Sequence, residues 1–198
     1  EETLADFRGS GADLPPNKKQ QLEEIEAELA IVTQKYSENV LDSTNGWELI
    51  LTDEAQLAGL PDSAKSAALA EARTKGHGTP EAPAWRLTPK APCMIPVMEH
   101  VDDEAIRRQM WVGSSGIGRS GAWDNTGLIR TILRLRQEKA QLLGKANFAD
   151  LVLERRMARN GARALEFTED MHRRIAGAFS RQTRELQEYK AEAVSQPT

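Results

Sequence analysis

Apolar positions recur three and four residues apart along most of this chain, and that spacing predicts helices. The clearest stripe is Leu22, Ile25, Leu29, Val32, Tyr36 and Val40, one face of an amphipathic helix. Pro15-Pro16 opens it, because the fixed φ of proline suits a first helical turn. Lys18, Lys19, Glu23, Glu24, Glu26 and Glu28 solvate its other faces, and the pattern carries it to about Leu41. Asn45-Gly46 signals a turn. Trp47 to Thr52 then alternates weakly and is rich in strand formers. After Gly59-Leu60-Pro61, Asp62 or Ser63 is expected to cap a short Ala-rich helix that ends near Lys75-Gly76. Residues 77–92 read as a proline-rich connector. Within it, Trp85-Arg86-Leu87-Thr88 is expected to pair with the 47–52 strand as a hairpin across the intervening helix.

A further helix starts at Val101-Asp102-Asp103, capped by an aspartate, and runs to about Val112. Residues 113–121 form a Gly/Ser loop. Asn125 or Thr126 is expected to cap the next helix, which carries Leu128, Ile129, Ile132, Leu133, Leu135, Leu142 and Leu143 and stops at Gly144. A shorter helix covers roughly 147–158. The last begins near Arg163, with Leu165, Met171, Ile175, Phe179, Leu186 and Tyr189 near helical spacing. Residues 1–14 read as irregular, and Val194 to Thr198 as a fraying tail. The expected fold is mainly α: one region over 1–198, an array of long amphipathic helices with a small β-hairpin element.

Composition narrows the class. The chain is 39% hydrophobic and 28% charged, an ordinary globular balance, with 5% aromatics. Its net charge of -4 lacks the basic excess that releases counterions from phosphate, so no nucleic-acid partner is expected. A single cysteine, Cys93, excludes an internal disulfide framework and fits a reducing, cytoplasmic setting. No apolar run approaches the roughly 20 residues that span a bilayer, so no membrane is expected. The opening Glu1-Glu2-Thr3-Leu4 has neither an initiator Met nor the features of a signal peptide. Processing, or excision from a longer chain, is the expectation.

Each group able to do chemistry has a plain structural explanation. Gly116-Ile117-Gly118-Arg119-Ser120-Gly121 matches the letters of a dinucleotide fingerprint. That motif needs a strand before it and a helix beginning inside it; here a helix leads in and Trp123-Asp124-Asn125 intervenes. It reads as a flexible connector, with amides and Arg119 left over for a ligand. His77, His100 and His172 show no metal-ligand spacing; the nearest pattern joins His100 to Glu104, short of the three protein ligands of a catalytic zinc. Asp102, Asp103 and Glu104 suit a helix start. Ser114, Ser115 and Ser120 have no evident His/Asp partners, and Cys93 has no His nearby in sequence. Arg130, Arg134, Arg136, Lys139, Arg155, Arg156, Arg159 and Arg163 read as solvated, ion-paired faces, with an RNA-facing surface as the remote alternative. No catalytic, cofactor-binding or metal residue is assigned.

Six stretches carry a resemblance: Phe7 to Pro16, Tyr36 to Thr44, Thr52 to Pro61, Ile95-Pro96-Val97-Met98, Trp123-Asp124-Asn125-Thr126, and Ala140 to Gly144. In this order and spacing they resemble the M3 family of zinc oligopeptidases, on its oligopeptidase A and dipeptidyl carboxypeptidase branch. The resemblance covers nearly the whole chain. It implies an N-terminal helical region that walls a substrate channel and includes a small β element. It places the His-Glu-x-x-His helix, the third ligand and the transition-state donors in a half this chain does not contain. The chain would then be the non-catalytic part of a zinc metalloendopeptidase acting on short peptides, partnered by the missing catalytic half. It departs from the family at Arg108-Gln109-Met110-Trp111, at Ser114 to Gly121 and in the loose 77–92 segment. Those departures support the alternative of a free-standing, truncated paralogue that acts as a protein-interaction module.

Overall fold

The long amphipathic stripe becomes a single helix, α1 (Pro16–Gly46), five residues longer than the pattern suggests. The structure, a computed structural model, describes Leu4, Phe7 and residues 9–195. Leu22 and Leu29 are buried, but the inward face then continues through Asn39 and Ser43, at the same three-and-four spacing. Half of the helix therefore buries oil and half buries hydrogen bonds. Leu4, Phe7 and Gly9 are helical where an irregular segment was expected; the turn that follows closes with Gly11 at φ 84°.

The chain divides into two compact units, one over 26–134 and one over 1–25 with 135–198. In the first, β1 (Leu49–Leu51) pairs antiparallel with β2 (Trp85–Leu87), in the register Leu49 to Leu87, Ile50 to Arg86 and Leu51 to Trp85. This is the pairing expected of the two segments. A short 3-10 turn (Glu54–Leu57) and α2 (Asp62–Thr74) connect the strands. Pro61, not Asp62 or Ser63, occupies the cap position of α2; Asp62 stands in the first turn, where its charge meets the helix dipole.

Beyond the proline-rich connector, taking in only its last two residues, lies a helix the pattern did not predict, α3 (Ala91–His100). Pro92 lies in the first turn, where no N–H is needed, so only Pro96 removes a helical bond. Asp103 caps α4 (Glu104–Ser115) as expected, its side chain accepting from Ala105 N. The core of this unit is Leu51, Leu57, Leu60, Ala68, Trp85, Leu87, Val97, Val101, Ile106 and Met110. Gly59 lets two segments meet: at φ 82°, a Cβ there would lie 2.1 Å from the His100 carbonyl oxygen.

The second unit holds the first part of α1, the end of α5 (Thr126–Leu142), α6 (Phe148–Leu153) and α7 (Gly161–Ser195). Leu22 packs beneath Gly11, and Leu135 and Ala140 are fully buried. Arg136 stacks over the Phe148 ring at 5.1 Å. Asn147 caps α6, and Asp150 accepts from Gly161 N, which ties α6 to the start of α7. α6 stops at Leu153, short of the expected 158, where the chain turns through Arg159 at φ 70°. None of the described side chains of α7 is buried.

Candidate functional site

In the Gly113 to Asn125 connector several of the amides are occupied. Gly116 N donates to Val112 O, Arg119 N to Gly116 O, and Asn125 N to Gly118 O. Gly118, buried at φ 68°, donates its N–H to Ser43 Oγ at 3.1 Å. Asn125 is 2% exposed: its Nδ2 donates to the Tyr36 carbonyl at 3.2 Å and its Oδ1 accepts from Asn39 Nδ2 at 2.9 Å. Asn125 stands at the cap position of α5, its carbonyl accepting from Ile129 N, while its side chain pins the connector to the polar half of α1. Asp124 supplies the capping side chain, accepting from Thr126 N at 2.8 Å. The Thr126 hydroxyl and N–H hold the Asp124 carboxyl below its usual value. A flexible connector was expected; the buried Asn39–Asn125 pair makes it an anchored one.

Two tryptophans close the same junction. The Trp47 indole lies over Gly113, so close that a Cβ there would fall 2.1 Å from its Cε2. Trp123 does the same at Gly46, with Cη2 2.6 Å from the position of a Cβ. The glycines serve here as gaps for rings, and the helix preceding the loop rules out the phosphate cradle of a dinucleotide fold.

A second polar cluster surrounds Arg86 on β2, which is 6% exposed. Its Nε donates to Glu48 Oε2 at 2.7 Å and its Nη1 to Glu71 Oε2 at 3.2 Å. His77 Nε2 lies 3.4 Å from the other Glu48 oxygen. The Arg86 hydrogen bond, aided by His77, holds the Glu48 carboxyl below its ordinary value. Alongside is a cavity of about 300 Å³ lined mainly by Leu60, Ala64, Ala68, Leu87, Cys93 and Val97. The half-buried Cys93 Sγ accepts from Thr88 N at 3.3 Å. Arg86 is matched by two carboxylates, so its positive charge is fully taken up in linking β2 to Glu48 beside β1 and to Glu71 on α2.

The other candidates stay apart. His100 is exposed and 3.8 Å from Glu99; His172 is exposed on α7. Asp102 N donates to Ala58 O, and Ser114 O accepts from Ile117 N. Arg134 pairs with Glu28 at 3.1 Å. Among the described residues no three His, Cys, Asp or Glu come together as a metal would need, so these residues do not fit a zinc ion. No helix among them is long and apolar enough to cross a membrane. Sequence reasoning missed Asn39 and the buried polar roles of Asn125 and Arg86. The signal for the first was a polar residue in phase with the apolar stripe of α1.

Residues 97–197 match the profile of Peptidase family M3. Oligopeptidase A of Salmonella typhimurium and that of Escherichia coli are each 40% identical over 195 residues, 96% of this chain and 28% of the relative. The probable cytosolic oligopeptidase A of Arabidopsis thaliana is 40% identical over 151 residues, 75% of this chain and 22% of the relative. The chain therefore spans between 22% and 28% of the length of these relatives.

Proposed function

The chain belongs to peptidase family M3, and from that premise we propose that it is a non-catalytic helical portion of a cytoplasmic zinc oligopeptidase that cleaves short peptides. One observation carries the reading: 40% identity runs through 96% of the chain yet accounts for 28% of the relative. In the complete enzyme, zinc bound by residues outside these 198 would activate water against a peptide carbonyl. This chain would contribute stable wall. The buried pair Asn39–Asn125 and the ring-on-glycine contacts would hold α1, α4 and α5 at fixed separations, and helix positions set channel width.

The test is a chimera in which this chain replaces the matching region of Escherichia coli oligopeptidase A. The folded chimera is expected to cleave short peptides with zinc, and the isolated chain to bind no zinc tightly and cleave nothing. Zinc-dependent cleavage by the isolated chain, or an inert folded chimera, overturns the reading. The second result would favour the free-standing interaction module, which the exposed apolar side chains of α7 also suit.

A further inference from the structure

α7 is a 35-residue helix whose large apolar side chains face water. Phe167, Phe179, Leu186 and Tyr189 are 67%, 68%, 70% and 71% exposed, and Leu165, Met171 and Ile175 are exposed as well. On a helix of about 3.6 residues per turn, these seven fall within one arc of roughly 160°. Every Asp, Glu and Arg of α7 lies outside that arc, with Glu185 at its edge, while His172 and Lys190 fall within it on the Leu165 side. The arc extends about 36 Å from Leu165 to Tyr189, at 1.5 Å per residue. A face so long and so largely apolar is built for burial.

Its width says what kind of partner it fits. A second copy pairing as a two-stranded coiled coil would cover a narrow seam. Phe167 and Phe179 stand about 120° apart around the helix, so that seam would leave one or both in water. Burying both flanks takes a groove between at least two helices. The relatives carry nearly three-quarters of their length outside the matched region. We propose that the apolar face of α7 is the docking surface for helices from that remaining part of an M3-length chain, which grip it on both flanks. This rests on the proposed function and adds the surface through which the parts join.

Hydrogen exchange across residues 165–189 reads the docking directly. In the isolated chain these amides are expected to exchange fast; in the chimera with Escherichia coli oligopeptidase A they should slow at least 100-fold. Ile175→Glu with Phe179→Glu should abolish that protection while leaving the helix content of the isolated chain unchanged. Ser180→Glu with Gln187→Glu, on the charged side, should change neither. The isolated chain should also bind a hydrophobic dye, with the signal falling at least twofold in the Ile175/Phe179 variant.

The proposal is overturned by unchanged exchange in the folded chimera, by protection that survives the double substitution, or by dye binding indifferent to it. It also fails if the isolated chain dimerises with α7 protected, which would make a second copy the occupant. Protection without peptide cleavage would uphold the docking and sink the peptidase reading; cleavage with α7 unprotected would do the reverse.

Discussion

Truncating Asn125 to alanine should weaken the 26–134 unit by an amount set by two buried hydrogen bonds. The substitution removes the acceptor for Asn39 Nδ2 and the donor to Tyr36 O. The second loss is mild, because a helical carbonyl has its own backbone partner. The first is severe, because Asn39 is 4% exposed and its Oδ1 already lacks a partner among the described residues. A buried amide left without its bond costs about 1–3 kcal/mol. The cavity left by the missing carboxamide adds about 1 kcal/mol, so the expected loss is roughly 2–4 kcal/mol. That is a large share of the 5–15 kcal/mol typical of a domain.

All four tryptophans, Trp47, Trp85, Trp111 and Trp123, lie within 26–134, so urea unfolding followed by their fluorescence reads this unit alone. A double-mutant cycle sharpens the test. Asn39→Leu with Asn125→Leu replaces both partners by apolar groups, and should cost less than the sum of the two single substitutions by about 1–2 kcal/mol. A loss below about 0.5 kcal/mol for Asn125→Ala, the range of an ordinary surface change, would refute the claim that this pair pins the connector. Strict additivity in the cycle would refute the claim that the two asparagines act through each other.

Gly113→Ala places a methyl where the Trp47 ring already sits, and should cost about 1–3 kcal/mol with a shift in tryptophan emission; an unchanged emission maximum and midpoint would contradict the packing. Acid should act on Glu48. Arg86 holds its folded pKa below the ordinary 4.5, so the stability this pair contributes is complete above 4.5 and is lost as pH falls through the depressed value. Fluorescence-monitored stability between pH 6 and pH 3 is therefore expected to fall less steeply in Arg86→Met than in the parent, and equal slopes would contradict the assignment.

The helices were legible because burial imposes a period and the chain obeys it, as in Leu22, Ile25, Leu29 and Val32. The strand pairing was legible from β-rich runs on either side of an Ala-rich helix. What escaped was polar burial. A search for apolar residues moves from Tyr36 to Val40, and so steps past Asn39 and Ser43, which keep the inward phase with hydrogen-bonding groups. Asn125 looked like a helix cap because Asn is a good cap; its side chain served a tertiary contact instead, and its neighbour Asp124 was able to cap. α3 escaped because two of its ten residues, Pro92 and Pro96, are of a type that breaks helices, although position within a helix decides whether proline breaks it. The glycine run looked mobile because sequence alone cannot show which amides find partners.

The division of the chain has a consequence for synthesis. The 26–134 unit is continuous, whereas its companion is assembled from 1–25 and 135–198. A ribosome delivers the first piece of that companion, then all of the inner unit, and only then the second piece. At about 5–20 residues per second, the opening segment waits on the order of ten seconds for its partners. All of the inner unit has been made by then, and it is free to begin folding while the chain is still growing. Residues 1–25, which carry Leu22, meanwhile wait for Leu135 and the rest of their unit to be made.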